Sequence, residues 1–110
     1  MDEISLLQDA VKRFSDERDW HQFHNGKDLA MALTIEASEL LELFLWKQPD
    51  EASREKIAEE LADVFNYALL MASKYELDVK QIVLEKIAQN AQKYPTLIPQ
   101  HYNLTLFISS

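Results

Sequence analysis

The sequence predicts an all-α fold, a bundle of about four helices per chain completed by oligomerisation. Three observations lead to this fold class. Apolar residues recur at intervals of three and four along most of the chain, which is the period of an amphipathic helix. Only one Gly and three Pro occur among the 110 residues, which favours long helices and few turns. The 47% hydrophobic content is enough for a core, but so short a chain leaves much apolar surface uncovered, and self-association would bury it.

The N-terminal half contains two predicted helices. The first is expected from Asp2 to Arg18 and carries an apolar stripe of Ile4, Leu7, Val11 and Phe14. A loop rich in aromatic and histidine residues, from Asp19 to Gly26, then interrupts the pattern. The second helix is expected from Lys27 to Lys47, with Asn25 as its cap and Pro49 as the breaker behind it.

The C-terminal half contains two more helices and a different tail. Capping side chains between Asp50 and Ser53 predict a third helix from about Arg54 to Glu76, with an apolar stripe of Ile57, Leu61, Val64, Ala68, Met71 and Tyr75. A fourth helix is capped by Asp78 and ends near Tyr94, before Pro95. Residues 96–110 alternate only weakly, which predicts at most a strand or a contact with a partner subunit.

Two acidic pairs are the strongest functional signal. Glu36-Ala-Ser-Glu39 and Glu60-Leu-Ala-Asp63 have i, i+3 spacing, so each pair lies on one face of a predicted helix. Glu36 interrupts an apolar stripe of Leu29, Leu33, Leu40, Leu43 and Phe44. A carboxylate there is costly to desolvate, and four converging carboxylates would repel one another unless a cation met them. The alternative is an ordinary solvated face, which is our interpretation of Glu42, Glu51, Glu55 and Glu59.

The residue types favour Mg²⁺ as the cation. Hard oxygen ligands match Mg²⁺, whereas di-iron bundles need a Glu-x-x-His motif that neither pair provides.

Around such a site, Trp20, His24 and Trp46 could pack on a planar ring or simply fill gaps between helices. On the fourth helix, Lys86, Asn90 and Lys93 recur at helical spacing and could face an anion, although lysines near a helix C-terminus also oppose its dipole.

Composition narrows the classes of partner and compartment. The net charge is −8 and no basic stripe occurs, which argues against a nucleic-acid polymer but leaves room for a single nucleotide. There is no cysteine, hence no disulfide framework. Without a signal-peptide pattern or an apolar run long enough to span a membrane, we expect a soluble, cytoplasmic protein.

The motifs together resemble a known family. Glu-Ala-Ser-Glu followed by Glu-Leu-Ala-Asp is similar to the signature of the MazG-like, all-α nucleoside triphosphate pyrophosphohydrolases. Arg18-Asp19-Trp20-x-x-Phe23-His24, Trp46 and the Lys93-Tyr94-Pro95 ending resemble the dCTP pyrophosphatase branch in particular. The likeness spans roughly Leu6 to Pro95, so we expect one such domain over residues 1–95 and a tail over 96–110 that pairs subunits.

The resemblance implies roles for individual residues. It implies that Glu36, Glu39, Glu60 and Asp63 bind Mg²⁺. Among these four acids, we expect Glu36 or Glu39 to be the catalytic proton acceptor. It places Trp20, His24 and Trp46 around the base and makes Tyr67, Lys74, Lys86, Asn90 and Lys93 candidates for sugar or phosphate contacts. It also implies a homo-oligomer, a dimer or a tetramer made from two dimers, in which neighbouring subunits complete the site.

The expected reaction is hydrolysis of a nucleoside triphosphate to the monophosphate and pyrophosphate. A deoxynucleotide resembling dCTP is the favoured substrate, and clearing unwanted nucleotides from the pool is the expected role. Two alternatives stay open at this point. One is a non-catalytic, acidic helical adaptor that binds a basic partner, and the other is a pyrophosphohydrolase of a different compound such as phosphoribosyl-ATP.

Overall fold

The structure, a computed structural model, describes residues 2–20 and 25–95, with only the backbone described for Pro49. It contains the four predicted helices: α1 (Glu3–Glu17), α2 (Gly26–Glu42), α3 (Arg54–Lys74) and α4 (Val79–Lys93). A short 3₁₀ helix, Pro49–Glu51, which we did not predict, precedes α3. Since no strand forms among these residues, the all-α fold class is confirmed. The tail from residue 96 onward, with its predicted role in pairing subunits, lies outside the described residues.

Side-chain caps fix where three of the helices begin. The Asp2 carboxylate accepts a hydrogen bond from the Ser5 backbone N–H at 2.8 Å, and the Asn25 side chain accepts one from Asp28 N–H at 2.8 Å. The hydroxyl of Ser53 accepts one from Lys56 N–H at 3.4 Å. Each cap satisfies an N–H group that the first turn of a helix leaves without a partner. The predicted caps of α2 and α3 are therefore confirmed.

The predicted end of α2 is wrong by several residues. We expected the helix to run to Lys47, but it ends at Glu42. The backbone N–H groups of Leu43 and Phe44 bond to carbonyls three residues back, which tightens the last turn. Trp46 then adopts a left-handed backbone conformation with φ of 63°, which takes the chain out of the helix before Pro49 is reached.

The packing centres on α3, which lies against both α2 and α1. Few of the described residues are buried: Leu29 from α2, Leu69 and Ala72 from α3, and Ser15 from α1. Leu29 belongs to the predicted stripe of α2 and is only 2% exposed.

The predicted stripe of α3 needs correction at its edges. Leu61 is 40% exposed and Tyr75 is 55% exposed, whereas the buried Leu69 was not assigned to the stripe. The reason is that α3 meets two helices that approach it from different directions. Its buried surface is consequently wider than one stripe and rotated from the predicted one.

The described chain divides after Val79 into two compact units. The first contains α1, α2 and α3, and the second contains α4. Along the described residues, none of the helices combines the length and the apolar character needed to cross a membrane.

Candidate metal centre and its cavity

The packing of α2 against α3 brings carboxylates from both acidic pairs together. Glu36 on α2 and Glu60 and Asp63 on α3 each offer a carboxylate oxygen, and these oxygens all lie within 4.8 Å of one another. Glu36 and Glu60 are half-buried, while Asp63 is exposed. Spacing of i, i+3 places Glu60 and Asp63 on one face of α3, and that face is turned toward Glu36. We call Glu36, Glu60 and Asp63 the acidic cluster.

The cluster strongly perturbs the ionisation of Glu36. Burial raises the pKa of its carboxyl from 4.5 to about 7, helped by the neighbouring carboxyl of Glu39 and by the charges of Asp63 and Glu60. The pKa of Glu60 is also raised, first by burial and then by the charge of Glu39. Both shifts mean that burial and the neighbouring acidic groups disfavour the ionised form of these two carboxyls.

Two oxygen atoms of the cluster lack the partners that buried oxygens normally have. Glu36 Oε2 and Glu60 Oε2 are shielded from solvent, and neither accepts a hydrogen bond from any described residue. A buried acceptor without a partner is rare in folded proteins and commonly marks an absent ion or water. A hard divalent cation with oxygen ligands would satisfy both atoms and remove the repulsion. The residues present therefore fit Mg²⁺ or a similar ion.

Glu39, the fourth predicted ligand, stands beside the cluster rather than within it. Its oxygens are not among those that converge within 4.8 Å. The half-buried side chain nevertheless lies near enough to raise the pKa of both Glu36 and Glu60. The arrangement is thus three converging carboxylates with a fourth next to them.

A cavity of about 290 Å³ adjoins the acidic cluster. Its lining includes Glu36 and Asp63 together with two residues that the sequence proposed for substrate contacts, Trp20 and Tyr67. The volume lies at the small end of the range of ligand pockets. Two acidic and two aromatic residues that the sequence analysis singled out therefore line one cavity.

Other predicted contact residues lie elsewhere. Trp46 is fully exposed, at 100%, and does not line this cavity. Lys74 lines a neighbouring cavity with Lys12 and Ser73. Their separation follows from α3 itself, because Lys74 is three turns beyond Asp63 along the helix.

Four other predicted contact residues lie outside the described part of the first unit. Lys86, Asn90 and Lys93 lie on α4, in the second compact unit. His24 lies outside the described residues. Glu42, Glu51, Glu55 and Glu59 are all exposed, as expected for a solvated surface.

The cavity also contains residues that sequence reasoning missed. The principal ones are Val11, Phe14, Asn66 and Leu70. Phe14 and Val11 were assigned to the core stripe of α1, and no pattern distinguishes a cavity wall from a core. Asn66 did carry a usable signal, because it follows Asp63 by three residues and so lies on the same face of α3.

Fold and cluster together define a class: an all-α protein with a candidate metal centre built from carboxylates of two adjacent helices. The model of the MazG-like family matches residues 31–103, so the chain belongs to the MazG-like family. The resemblance drawn from the acidic motifs is confirmed.

The relatives compared with this chain carry the names of pyrophosphatases. The chain is 40% identical over 90 residues to dCTP pyrophosphatase 1 of Mus musculus and 41% identical over 90 residues to that of Homo sapiens. Each match covers 74% of this chain and 53% of the relative, so the chain spans about half the length of these curated relatives. A crystal structure of a pyrophosphatase from Archaeoglobus fulgidus superposes with a TM-score of 0.80 at 33% identity, covering 87% of this chain and 95% of that one.

Proposed function

We propose that the protein is an Mg²⁺-dependent nucleoside triphosphate pyrophosphohydrolase that releases pyrophosphate and a nucleoside monophosphate. The observation that carries this proposal is the convergence of Glu36, Glu60 and Asp63 on a cavity with aromatic walls, with two buried oxygens left without partners. The printed names of the relatives, dCTP pyrophosphatase and pyrophosphatase, support the reaction class.

The reaction breaks the bond between the α-phosphorus and the oxygen that bridges it to the β-phosphorus. Water attacks the α-phosphorus and loses a proton, and pyrophosphate leaves with the bridging oxygen. Mg²⁺, when bound, supplies positive charge that stabilises the negative charge on the phosphate oxygens. Glu36, Glu60 and Asp63 would hold the ion and thereby position the phosphates relative to the attacking water.

Glu39 is the better placed of the two proposed proton acceptors. Glu36 belongs to the converging oxygens and would be engaged with the cation, whereas Glu39 stands next to them. Its carboxylate is near the cluster without being one of the converging groups, so it can accept a proton from the attacking water. Glu39→Gln should therefore lower kcat with little effect on Mg²⁺ affinity.

A deoxynucleotide with a cytosine-like base is the proposed substrate, and removal of unwanted nucleotides from the pool is the proposed role. The relatives' names support the choice of base. Trp20 and Tyr67 support a planar ring in the cavity, because aromatic side chains give flat, rigid surfaces on which a base can pack. Asn66 provides an amide in the same cavity that can both donate and accept a hydrogen bond.

We also propose that the protein acts as a homo-oligomer, a tetramer made from two dimers. Large apolar side chains are unusually exposed on the first unit, including Ile35 and Leu41 on α2 and Phe65 on α3. Contiguous exposed apolar surface is typical of subunit interfaces. In such an assembly the exposed Trp46 would be offered to a neighbouring subunit's cavity. Sedimentation velocity should therefore show a species larger than 12.8 kDa.

A product assay tests the proposed reaction. Purified protein is incubated with a panel of ribo- and deoxynucleoside triphosphates, with Mg²⁺ or with EDTA, and pyrophosphate and orthophosphate are measured separately. We expect equimolar monophosphate and pyrophosphate with Mg²⁺ only, and a loss of at least about 100-fold in Glu60→Gln. Glu42→Gln, an exposed glutamate on α2 outside the acidic cluster, is the matched control.

The same assay separates the alternatives. Orthophosphate as the sole product would contradict the proposed bond cleavage. Full activity in EDTA would contradict the role of the acidic cluster. An adaptor would show neither product and no change of tryptophan fluorescence with Mg²⁺.

A further inference from the structure

Phe14 forms part of the cavity wall and contacts two neighbouring side chains, those of Trp20 and Arg18. Its ring centroid lies 5.3 Å from that of Trp20, with the two planes at 78°, an edge-to-face arrangement. The guanidinium carbon of Arg18 lies 3.6 Å from the Phe14 centroid. Phe14 and Trp20 both line the cavity that contains Glu36 and Asp63, whereas Arg18 does not.

The end of α1 produces this arrangement. Arg18 follows Phe14 by four residues, so the two side chains meet on one face of the helix. The Arg18 Nη1 group donates a hydrogen bond to the Phe14 carbonyl at 3.0 Å, which fixes the guanidinium above the ring. Asp19 then has φ of 56°, a left-handed conformation that reverses the chain and returns Trp20 to Phe14.

The ion pair of Arg18 does not explain its position. Its Nη1 lies 3.9 Å from Glu17 Oε2, and both side chains are largely exposed, at 44% and 63%. Such surface pairs contribute little. The contact with the aromatic ring and the hydrogen bond to the Phe14 carbonyl are the interactions that define where the guanidinium lies.

We propose that Arg18 is a positioning residue for the base-contacting wall of the cavity, and that Phe14 belongs to this wall together with Trp20. This inference rests on the proposed nucleotide substrate. Phe14 and Trp20 are both partly exposed, so without Arg18 their rings would sample several rotamers that the bound base has to restrict. Rings that are already held in place lose less conformational entropy when the base binds. Only the binding of the base is strengthened as a result. The phosphate end, at the acidic cluster, is independent of it.

The test compares ligands that differ only in having a base. KM and kcat are measured for the best nucleoside triphosphate, and the inhibition constant is measured for inorganic tripolyphosphate, which offers phosphates without a base. In Arg18→Gln we expect KM to rise about two- to five-fold, the size of an exposed cation–π contact, with kcat nearly unchanged. The inhibition constant of tripolyphosphate should stay the same.

Three further variants make the result specific. Arg18→Lys keeps the charge but not the planar fork, so its KM should lie between those of wild type and Arg18→Gln. Phe14→Leu removes the ring but keeps the backbone carbonyl to which Arg18 donates, and it should raise KM for the nucleotide at least as much, again without affecting tripolyphosphate. Glu17→Gln removes only the ion pair and should behave as wild type.

Different failures point to different errors. An unchanged KM in both Arg18→Gln and Phe14→Leu would overturn the inference while leaving the proposed function intact. Equal weakening of nucleotide and tripolyphosphate would also overturn it, because the variant would then have disturbed the whole site. If wild-type protein releases no pyrophosphate from any triphosphate, the proposed function fails and this inference fails with it.

Discussion

Without a divalent cation, the protein should lose stability as the pH rises from about 4.5 to about 7, because Glu36 must ionise among other carboxylates. Its pKa is 4.5 when unperturbed and about 7 in the folded chain. A group whose pKa is higher in the folded state holds its proton more tightly there, so its favourable contribution is complete below pH 4.5. That contribution disappears as the pH passes through 7. The raised pKa of Glu60 acts in the same direction.

The size of the effect follows from the shift at Glu36. A change from 4.5 to about 7 corresponds to about 3 kcal/mol in the free energy of unfolding, and partial exposure of the half-buried side chain reduces this figure. Replacing the carboxylate by an amide removes this dependence, since Gln cannot ionise. In EDTA, Glu36→Gln should therefore be as stable as wild type near pH 4.5 and more stable by about 1 to 3 kcal/mol at pH 8. Mg²⁺ at about 100 times its dissociation constant should restore about 2.7 kcal/mol to wild type and much less to the variant.

Urea denaturation followed by circular dichroism, at one fixed protein concentration, measures these differences. Glu42→Gln is the matched control, because Glu42 is an exposed glutamate on the same helix. It should change stability by less than about 0.5 kcal/mol at either pH. If Glu36→Gln proves less stable than wild type at pH 8 in EDTA, the carboxylate is held by attraction rather than opposed by burial, and the reasoning is refuted.

Three further predictions concern the fold and the shared site. Leu29→Ala should lower the free energy of unfolding by about 2 to 5 kcal/mol, because Leu29 is the most deeply buried apolar side chain of the first unit; a change below 1 kcal/mol would contradict that burial. Asn25→Ala should cost about 1 kcal/mol by urea denaturation and Asn25→Asp almost nothing, since only the former removes the capping acceptor; equal effects would argue against the cap. Trp46→Ala and Glu60→Gln, each weakly active alone, should recover activity when denatured and refolded together, if Trp46 serves a neighbouring subunit. No recovery on mixing would place both residues in one subunit's site.

Features that depend on local sequence were accessible without a structure. The periodicity of α2 placed Glu36 within an apolar stripe, and the same periodicity put the carboxylates of each pair on one face. The caps at Asn25 and Ser53 were equally local, because each involves only the following three residues. These features lead directly to the acidic cluster, which explains why its three members could be predicted from spacing.

Features that depend on how helices meet were not accessible. Whether Phe14 fills the core or a cavity wall is decided by the direction in which α1 crosses α3, and both outcomes have the same apolar period. Lys74 is a different case: the resemblance implied a sugar or phosphate contact for it alongside Tyr67, but two turns of helix place it at a neighbouring cavity. The end of α2 was missed because Pro49 was the visible breaker, whereas the left-handed Trp46 ends the helical path first.

The energetic cost of the acidic cluster indicates that the cluster has a function. Few described side chains of its first unit are buried, so little burial is available to offset an unfavourable group. The free energy of unfolding that is lost when Glu36 ionises is large relative to a typical domain stability of about 5 to 15 kcal/mol. A leucine or glutamine at that position would suit the apolar stripe better in an unliganded protein. Groups that destabilise a fold and lie together beside a cavity are characteristic of functional sites, where the cost is recovered when the ligand binds. The destabilisation that the unliganded cluster causes is therefore itself an argument that a cation binds there.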